Sequence, residues 1–366
     1  MRYEFAKLPF QDLLQPATAA SAALARLDER VMRSQNGDGW LARSHFFDAC
    51  ASLWVDGELV HIEDLVLHDA GMGVRKPTHE LTIAQDVLRT RRRILANAPG
   101  WALSADGVSR LRRSGDGPET EIETKSVSMS SDVFPMESDE DLLGAELAAI
   151  DVVLARSEAL LAAAKGTTLL RDMPERDALV YEPDWNEDER LAEWQRALKG
   201  SEGLPAVIRA AVVLDAWNVL QVLQHAPWLG RLLAAAILHE AGLTAAYLLP
   251  MSNGLKQVQR QKRMHRDRDV RLIATIEAMR EAAESGLKEH DRLLLARQQM
   301  EHRLAGRRSS SKLPQLIDLV LSNPIVSTGM IAEALSVSPQ GALKIAGELN
   351  LRELTGRGRF RAWGVL

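Results

Sequence analysis

The stretch LPQLIDLVLSNPIVSTGMIAEALSVSPQGALKIAGELN, from Leu313 to Asn350, holds three short amphipathic segments separated by two punctuated turns. The first, LPQLIDLVLSN, has the apolar spacing of a helix and is stopped by Pro324. Ser327 is a suitable N-cap for the second, which turns Met330, Ile331 and Leu335 inward. Ser338 then caps the third, with Pro339 at the first helical position, where its missing N–H is harmless. In this reading Leu343, Ala346 and Leu349 face the core. Gln340, Gly341 and Lys344, joined by Ser338, lie on the open face, and Gly341 with Ala342 keeps that face small.

The last residues, LRELTGRGRFRAWGVL, alternate in polarity around a glycine-rich turn and read as a hairpin carrying Arg357, Arg359 and Arg361. Three helices followed by a basic hairpin describe a winged helix-turn-helix over residues 309–366. Its third helix is expected to enter the major groove of double-stranded DNA, and its wing to reach the backbone or the minor groove. Charge agrees: from Arg303 onward nine Lys/Arg stand against four Asp/Glu. Such an excess supplies sequence-independent attraction for phosphates. Winged helices also dock proteins, which leaves an antitoxin-like interaction module as an alternative.

Working outward, residues 251–308 read as basic connecting helices and a hinge. Lys256, Arg260, Lys262, Arg263, Arg266, Arg268 and Arg271 face only Asp267 and Asp269. This basic helix reads equally as a solvated face or, through Lys256, Arg260 and Arg263, as an extension of the DNA contact. The pattern continues through Ile273, Ile276 and Met279, weakens at Ser285-Gly286, and ends in the hinge GRRSSSK. The run RTRRR ending at Arg93 poses the same choice.

Residues 1–115 read as an N-terminal helical region, with Phe46, Phe47, Leu53, Val55, Leu59, Ile62, Leu65 and Leu67 as apolar positions and a further helix near Glu80–Ala98 stopped by Pro99-Gly100. Residues 116–141 are acidic and rich in Ser, Pro and Gly, the composition of a flexible linker. Residues 142–250 form a helical core. They begin with an amphipathic helix through Leu143, Leu147, Ile150, Leu154 and Leu161, continue with one near Glu187–Lys199, and reach AVIRAAVVLDAWNVLQVLQ behind Pro205.

Composition sets the outer bounds. With 366 residues, 46% of them hydrophobic and only 5% aromatic, the chain is long enough for two or three domains, and its Ala/Leu bias predicts a mainly α protein. One cysteine, Cys50, excludes a disulfide framework or a cysteine-built zinc site and points to a reducing cytoplasm. The N-terminus lacks the pattern of a signal peptide. The most apolar stretch, Leu229–Leu249, carries Arg231, His239 and Glu240, so no membrane span is expected.

Three stretches carry a resemblance. DACASLWVDGE (Asp48–Glu58), GRLLAAAIL continuing into EAGLTAAYLLP, and the C-terminal winged helix together resemble the Fic/DOC-type proteins, a family of adenylyl transferases. The resemblance implies a helical body whose active loop, HxFx(D/E)GNGRxxR, supplies a histidine base, an acidic metal ligand and a phosphate-holding turn. This chain has HAPWLGRLL instead, with His225 and Arg231 as the vestige of that site. The glycine-rich anion turn, the acidic ligand and one arginine are missing, which implies an inactive body. The family's Ser-x-x-x-Glu-Gly restraint corresponds to Ser52, Asp56 and Gly57, although WVDGE also reads as a simple turn between helices. The chain is also similar to uncharacterised plasmid-encoded rhizobial proteins with a helix-turn-helix tail, which implies a regulator.

Other candidates weigh less. His61 and His68 stand seven apart on one helical face, too far for the usual paired ligands. His239-Glu240 lacks a second histidine, and no serine has a nucleophile elbow. The expectation is a DNA-binding transcriptional regulator with no cofactor, metal or catalytic residue, acting as a homodimer because winged helices commonly read two-fold sites. A divergent nucleotidyl or AMP transferase is the competing class.

Overall fold

The structure is a computed structural model that describes residues 3, 8–73, 76–113, 185–304, 312–349, 351–354 and 361–365. The chain divides into two compact units: Met1–Pro118 with Asn186–Leu366, and Glu119–Trp185. The acidic linker, the helix expected from Leu143 to Leu161, hinge residues 306–311 and the tip arginines Arg357 and Arg359 lie outside the described residues.

The described residues are mainly α-helical, as the composition predicts. The body begins with α1 (Phe10–Arg33), α2 (Gly37–Asp56), α3 (Ile62–Asp69), α4 (His79–Ala96) and α5 (Ala105–Arg113). It continues with α6 (Glu187–Gly200), α7 (Ala206–Leu220), α8 (Leu229–Glu240), α9 (Met251–Gln257), the single turn α10 (Arg260–Arg263) and the long α11 (Arg268–Leu304). Two helices organise it. The first, α2, packs on α1, α3, α4, α9 and α11, while α11 packs on α1, α7, α9 and α10.

Local chemistry accounts for the boundaries. Thr78 caps α4 by accepting from the Leu81 N–H, and Asn186 caps α6 through the Glu189 N–H. Gly57 ends α2 at φ +95°, a left-handed conformation that glycine adopts without a Cβ clash, and its N–H returns to the Leu53 and Trp54 carbonyls. Gly230 is required by packing: a Cβ there would stand 2.3 Å from the Trp217 ring, so α8 crosses α7 at this point. Helix α7 stops at Leu220, short of Gln224, where Gln221 turns left-handed at φ +48°.

Three expectations are corrected. The basic segment is not one helix. It breaks at Val258-Gln259 and again between Met264 and Asp267, which distributes its cations over separate elements. Ser285-Gly286 does not interrupt α11, which runs unbroken for 37 residues. Glycine is there for packing: the Gly286 carbonyl accepts from Trp40 Nε1 at 3.0 Å, and an added Cβ would meet Leu27 at 2.7 Å. Leu59 is exposed, because it falls in the link between α2 and α3 rather than on a helix face. Among the described residues no helix is long and apolar enough to cross a membrane.

A buried polar cluster ties α4 to α2 and to the chain entering α9. Arg91 is fully buried. It pairs with Asp48 and donates to the Leu248 carbonyl at 2.8 Å, while Asp48 also accepts from the Asn253 N–H at 3.0 Å. Arg91 Nε donates to His45 Nδ1 at 3.3 Å. Arginine can only donate, so this nitrogen is the acceptor and the ring is neutral. Burial, reinforced by the charges of Arg91 and Arg92, holds His45 well below the ordinary histidine range.

The unfolded chain therefore takes up a proton below about pH 6.5 that the folded chain refuses, so stability falls as the pH drops through that value. The contribution of His45 is about 1.4 kcal/mol per pH unit below 6.5. His45→Gln keeps an acceptor without the titration and is expected to flatten the acid limb by that slope. Denaturant melts of both proteins at pH 7.5, 6.5 and 5.5 measure it, and parallel acid limbs would contradict it.

Candidate nucleic-acid interface

The C-terminal region consists of α12 (Leu313–Ser322), β1 (Val326–Ser327), α13 (Thr328–Leu335), α14 (Pro339–Glu348), β2 (Arg352–Glu353) and β3 (Ala362–Gly364). The strands form an antiparallel sheet in the order β1-β3-β2, with Val326 opposite Trp363 and Arg352 opposite Gly364. Three helices with a strand after the first and a closing hairpin make the winged helix-turn-helix expected from the sequence.

The caps fall where the sequence places them. Ser327 accepts from the Met330 N–H at 3.2 Å, and Ser338 accepts from the Gly341 N–H at 3.1 Å. Between them Ser336 turns left-handed at φ +48°, and the Lys312 ammonium donates to the Leu335 and Ser336 carbonyls, closing the exposed end of α13. Met330, Ile331 and Leu335 are buried as expected.

The third helix differs from its sequence reading. Ala342, Ala346 and Leu349 are buried, whereas Leu343 is 38% exposed. The inward stripe starts one residue earlier than expected, so Ala342 leaves the open face and Leu343 joins it. Gln340, Leu343, Lys344 and Gly347 are all exposed at i, i+3, i+4, i+7 and form one outward stripe of α14. The spacing Ala342-Ala346-Leu349 carried the signal. A preference for the larger side chain hid it.

The other candidates are dispersed. Arg361 is exposed at the base of the wing, joined to Glu353 Oε2 at 2.6 and 3.0 Å and laid over the Trp363 ring at 5.9 Å, so a carboxylate already faces its charge. Arg303 donates to the Leu349 carbonyl at 2.8 Å, at the end of α14. Lys256 and Arg263 lie 5.5 and 5.8 Å from the Trp54 ring centroid, with Arg260 exposed nearby in sequence. Arg271 is taken up by Asp215 at 2.6 and 3.1 Å. The run ending at Arg93 is divided likewise: Arg91 is interior, Arg92 forks onto Asp69 at 2.8 and 2.9 Å, and Arg93 covers Trp101.

At the start of α8, Arg231 donates to both oxygens of Asp56, at 2.9 and 2.6 Å, and to Ser52 Oγ at 2.7 Å. The stretch WVDGE is thus both a helix-ending turn and the source of the arginine's partner. His225 Nδ1 stands 3.4 Å from Glu187 Oε1 on α6. His61 precedes α3 rather than sharing a helix with His68, and His239 Nδ1 is engaged by the Thr244 carbonyl at 2.8 Å. Among the described residues no group of three or more His, Cys, Asp or Glu side chains is placed to hold a metal ion.

The winged helix is docked on the body. Arg43 of α2 donates to the Asn323 carbonyl at 2.6 Å and the Val365 carbonyl at 3.4 Å, and Arg292 of α11 also donates to Val365 at 3.3 Å. Arg297 pairs with Asp318 on α12. Gly39 approaches the Leu321 carbonyl closely enough that a Cβ would stand 3.3 Å away, and Ser327 Oγ meets Met72 Sδ at 3.3 Å.

Comparison with known proteins places these regions. Residues 313–366 match the family described as HTH DNA binding domain, and residues 179–305 match a family described as a protein of unknown function (DUF1612). Over its whole length the chain is 52% identical to the uncharacterized protein y4cF of Sinorhizobium fredii, with all of both chains covered. The chain therefore belongs to the family of that rhizobial protein and joins a DUF1612 region to a C-terminal helix-turn-helix DNA-binding domain.

Proposed function

We propose that the protein is a DNA-binding transcriptional regulator. Its α14 enters the major groove, and its body, similar to a Fic/DOC scaffold, is catalytically silent. The observation that carries this reading is the outward stripe of α14 within a region matching a helix-turn-helix DNA-binding domain. In it Ser338, Gln340 and Lys344 face the groove, and Arg357, Arg359 and Arg361 hold the flanking backbone. Lys256, Arg260 and Arg263 are candidates for a further phosphate contact. A homodimer pairing two such heads on a two-fold site belongs to the same reading.

The silent body is supported by what occupies Arg231. Both carboxylate oxygens of Asp56 and the Ser52 hydroxyl already engage its guanidinium. The glycine before it serves the contact with Trp217.

The test is binding of the full chain to a random duplex pool, followed by fluorescence anisotropy across salt concentrations. Arg357→Ala with Arg359→Ala is expected to weaken binding to all sequences and to lower the log–log salt slope by about one per lost contact. Lys344→Ala is expected to change the preferred site more than the overall affinity. Equal binding by the wild type and the double wing variant at every salt concentration would remove these arginines from the interface.

A further inference from the structure

We propose that Leu343 recognises the C5-methyl group of a thymine in the major groove, flanked on the same stripe by Gln340 and Lys344. The inference rests on the DNA-binding reading above and adds a chemical identity to one position of the site.

Leu343 is the one large apolar side chain on the outward stripe of α14, and the packing of that helix does not use it. Ala342, Ala346 and Leu349 fill the inward stripe at 0–1% exposure, while Leu343 remains 38% exposed between two polar neighbours. The edges of base pairs in the major groove are almost wholly hydrogen-bonding groups, and the apolar feature among them is the thymine methyl. A leucine flanked by Gln and Lys is suited to read that methyl beside donors and acceptors.

Gly347, one turn further on the same stripe, is an independent observation. Its φ is not positive, and a Cβ built there meets nothing within 4 Å. Neither backbone strain nor internal packing calls for glycine, although glycine weakens a helix relative to alanine. A smooth outer surface at this point lets the second half of α14 lie close against the groove, which brings Leu343 to the depth of the base edges.

The experiment first selects a preferred duplex from a random pool, then replaces each thymine in turn by uracil, which removes only the methyl group. Wild-type binding is expected to weaken about fourfold at one position, the effect of losing one buried methyl. Leu343→Ala is expected to weaken binding to the thymine duplex by a similar factor and to be indifferent to uracil at that position. Gly347→Ala is expected to raise the melting temperature while weakening binding.

Salt-sensitive binding with no uracil effect at any thymine would overturn the inference and leave the DNA-binding reading standing, as would an unchanged uracil effect in Leu343→Ala. Absence of salt-sensitive binding to any duplex would instead remove the parent reading. The uracil series needs no variant, so the folding of the mutants does not limit it.

Discussion

Asp48→Ala is expected to destabilise the protein by about 3–5 kcal/mol, the usual consequence of leaving a buried charge without its partner. Domains are commonly stable by only about 5–15 kcal/mol, so this one change would remove a large share of the total. The cause is the position of Arg91. Its guanidinium is fully buried, Asp48 is the carboxylate that faces it, and the neighbouring Leu248 carbonyl and neutral His45 ring supply no compensating negative charge. Burial draws the Arg91 pKa down and the carboxylate of Asp48 opposes that shift. Removing Asp48 also strips the Asn253 N–H of its acceptor, so α4, α2 and the start of α9 loosen together.

The matching measurement is urea denaturation of the wild type, Asp48→Ala, Arg91→Met and the double variant. Each single change should be costly and the double change less so than their sum, because it removes both charges together. Strict additivity, or a loss below about 1 kcal/mol for Asp48→Ala, would show that the pair does not hold the body together.

Arg43→Met is expected to undock the winged helix at a cost of about 3 kcal/mol, given that hydrogen bonds from a charged donor contribute about 1.5–3 kcal/mol each. The Arg43 side chain is 2% exposed, and burial brings its pKa down to about 10 even though Glu289 beside it acts in the other direction. It stands at the C-terminal end of α12, where the Val320 and Asn323 carbonyls have no helical partner and the helix dipole favours a cation. Lysine is a poor substitute, because one ammonium does not reproduce a fork that reaches Asn323, Val365 and Glu289.

Amide hydrogen exchange locates the effect. Protection should fall over residues 313–323 and 362–365 while α1, α7 and α8 keep theirs. Loss of protection throughout would make Arg43 a general core residue, and no change would mean that apolar packing alone docks the tail.

Much of the fold was legible because its signals are short. Ser327 and Ser338 announce two helix starts, Pro324 closes α12, and the alternation of the last residues calls a hairpin, each within a window of about ten residues. Leu343 escaped because Ala342 and Leu343 both fit a helix face, and only the closeness of α12 and α13 makes the smaller residue the buried one. The long α11 escaped for a related reason. Gly286 reads locally as a break but is required by Leu27 and Trp40, which come from other helices.

By itself, then, the sequence determined the helical class, the winged-helix tail and its caps, all properties of residues within a few turns of one another. Only the tertiary structure decided which cations are available to a partner. Arg91 meets a carboxylate 43 positions away and Arg231 one 175 away, whereas Lys344 stays on the open surface of α14. The reason is physical. A charge run has the same local pattern whether it is solvated, paired or buried, and the desolvation and Coulomb energies that separate these cases depend on neighbours brought together only by folding.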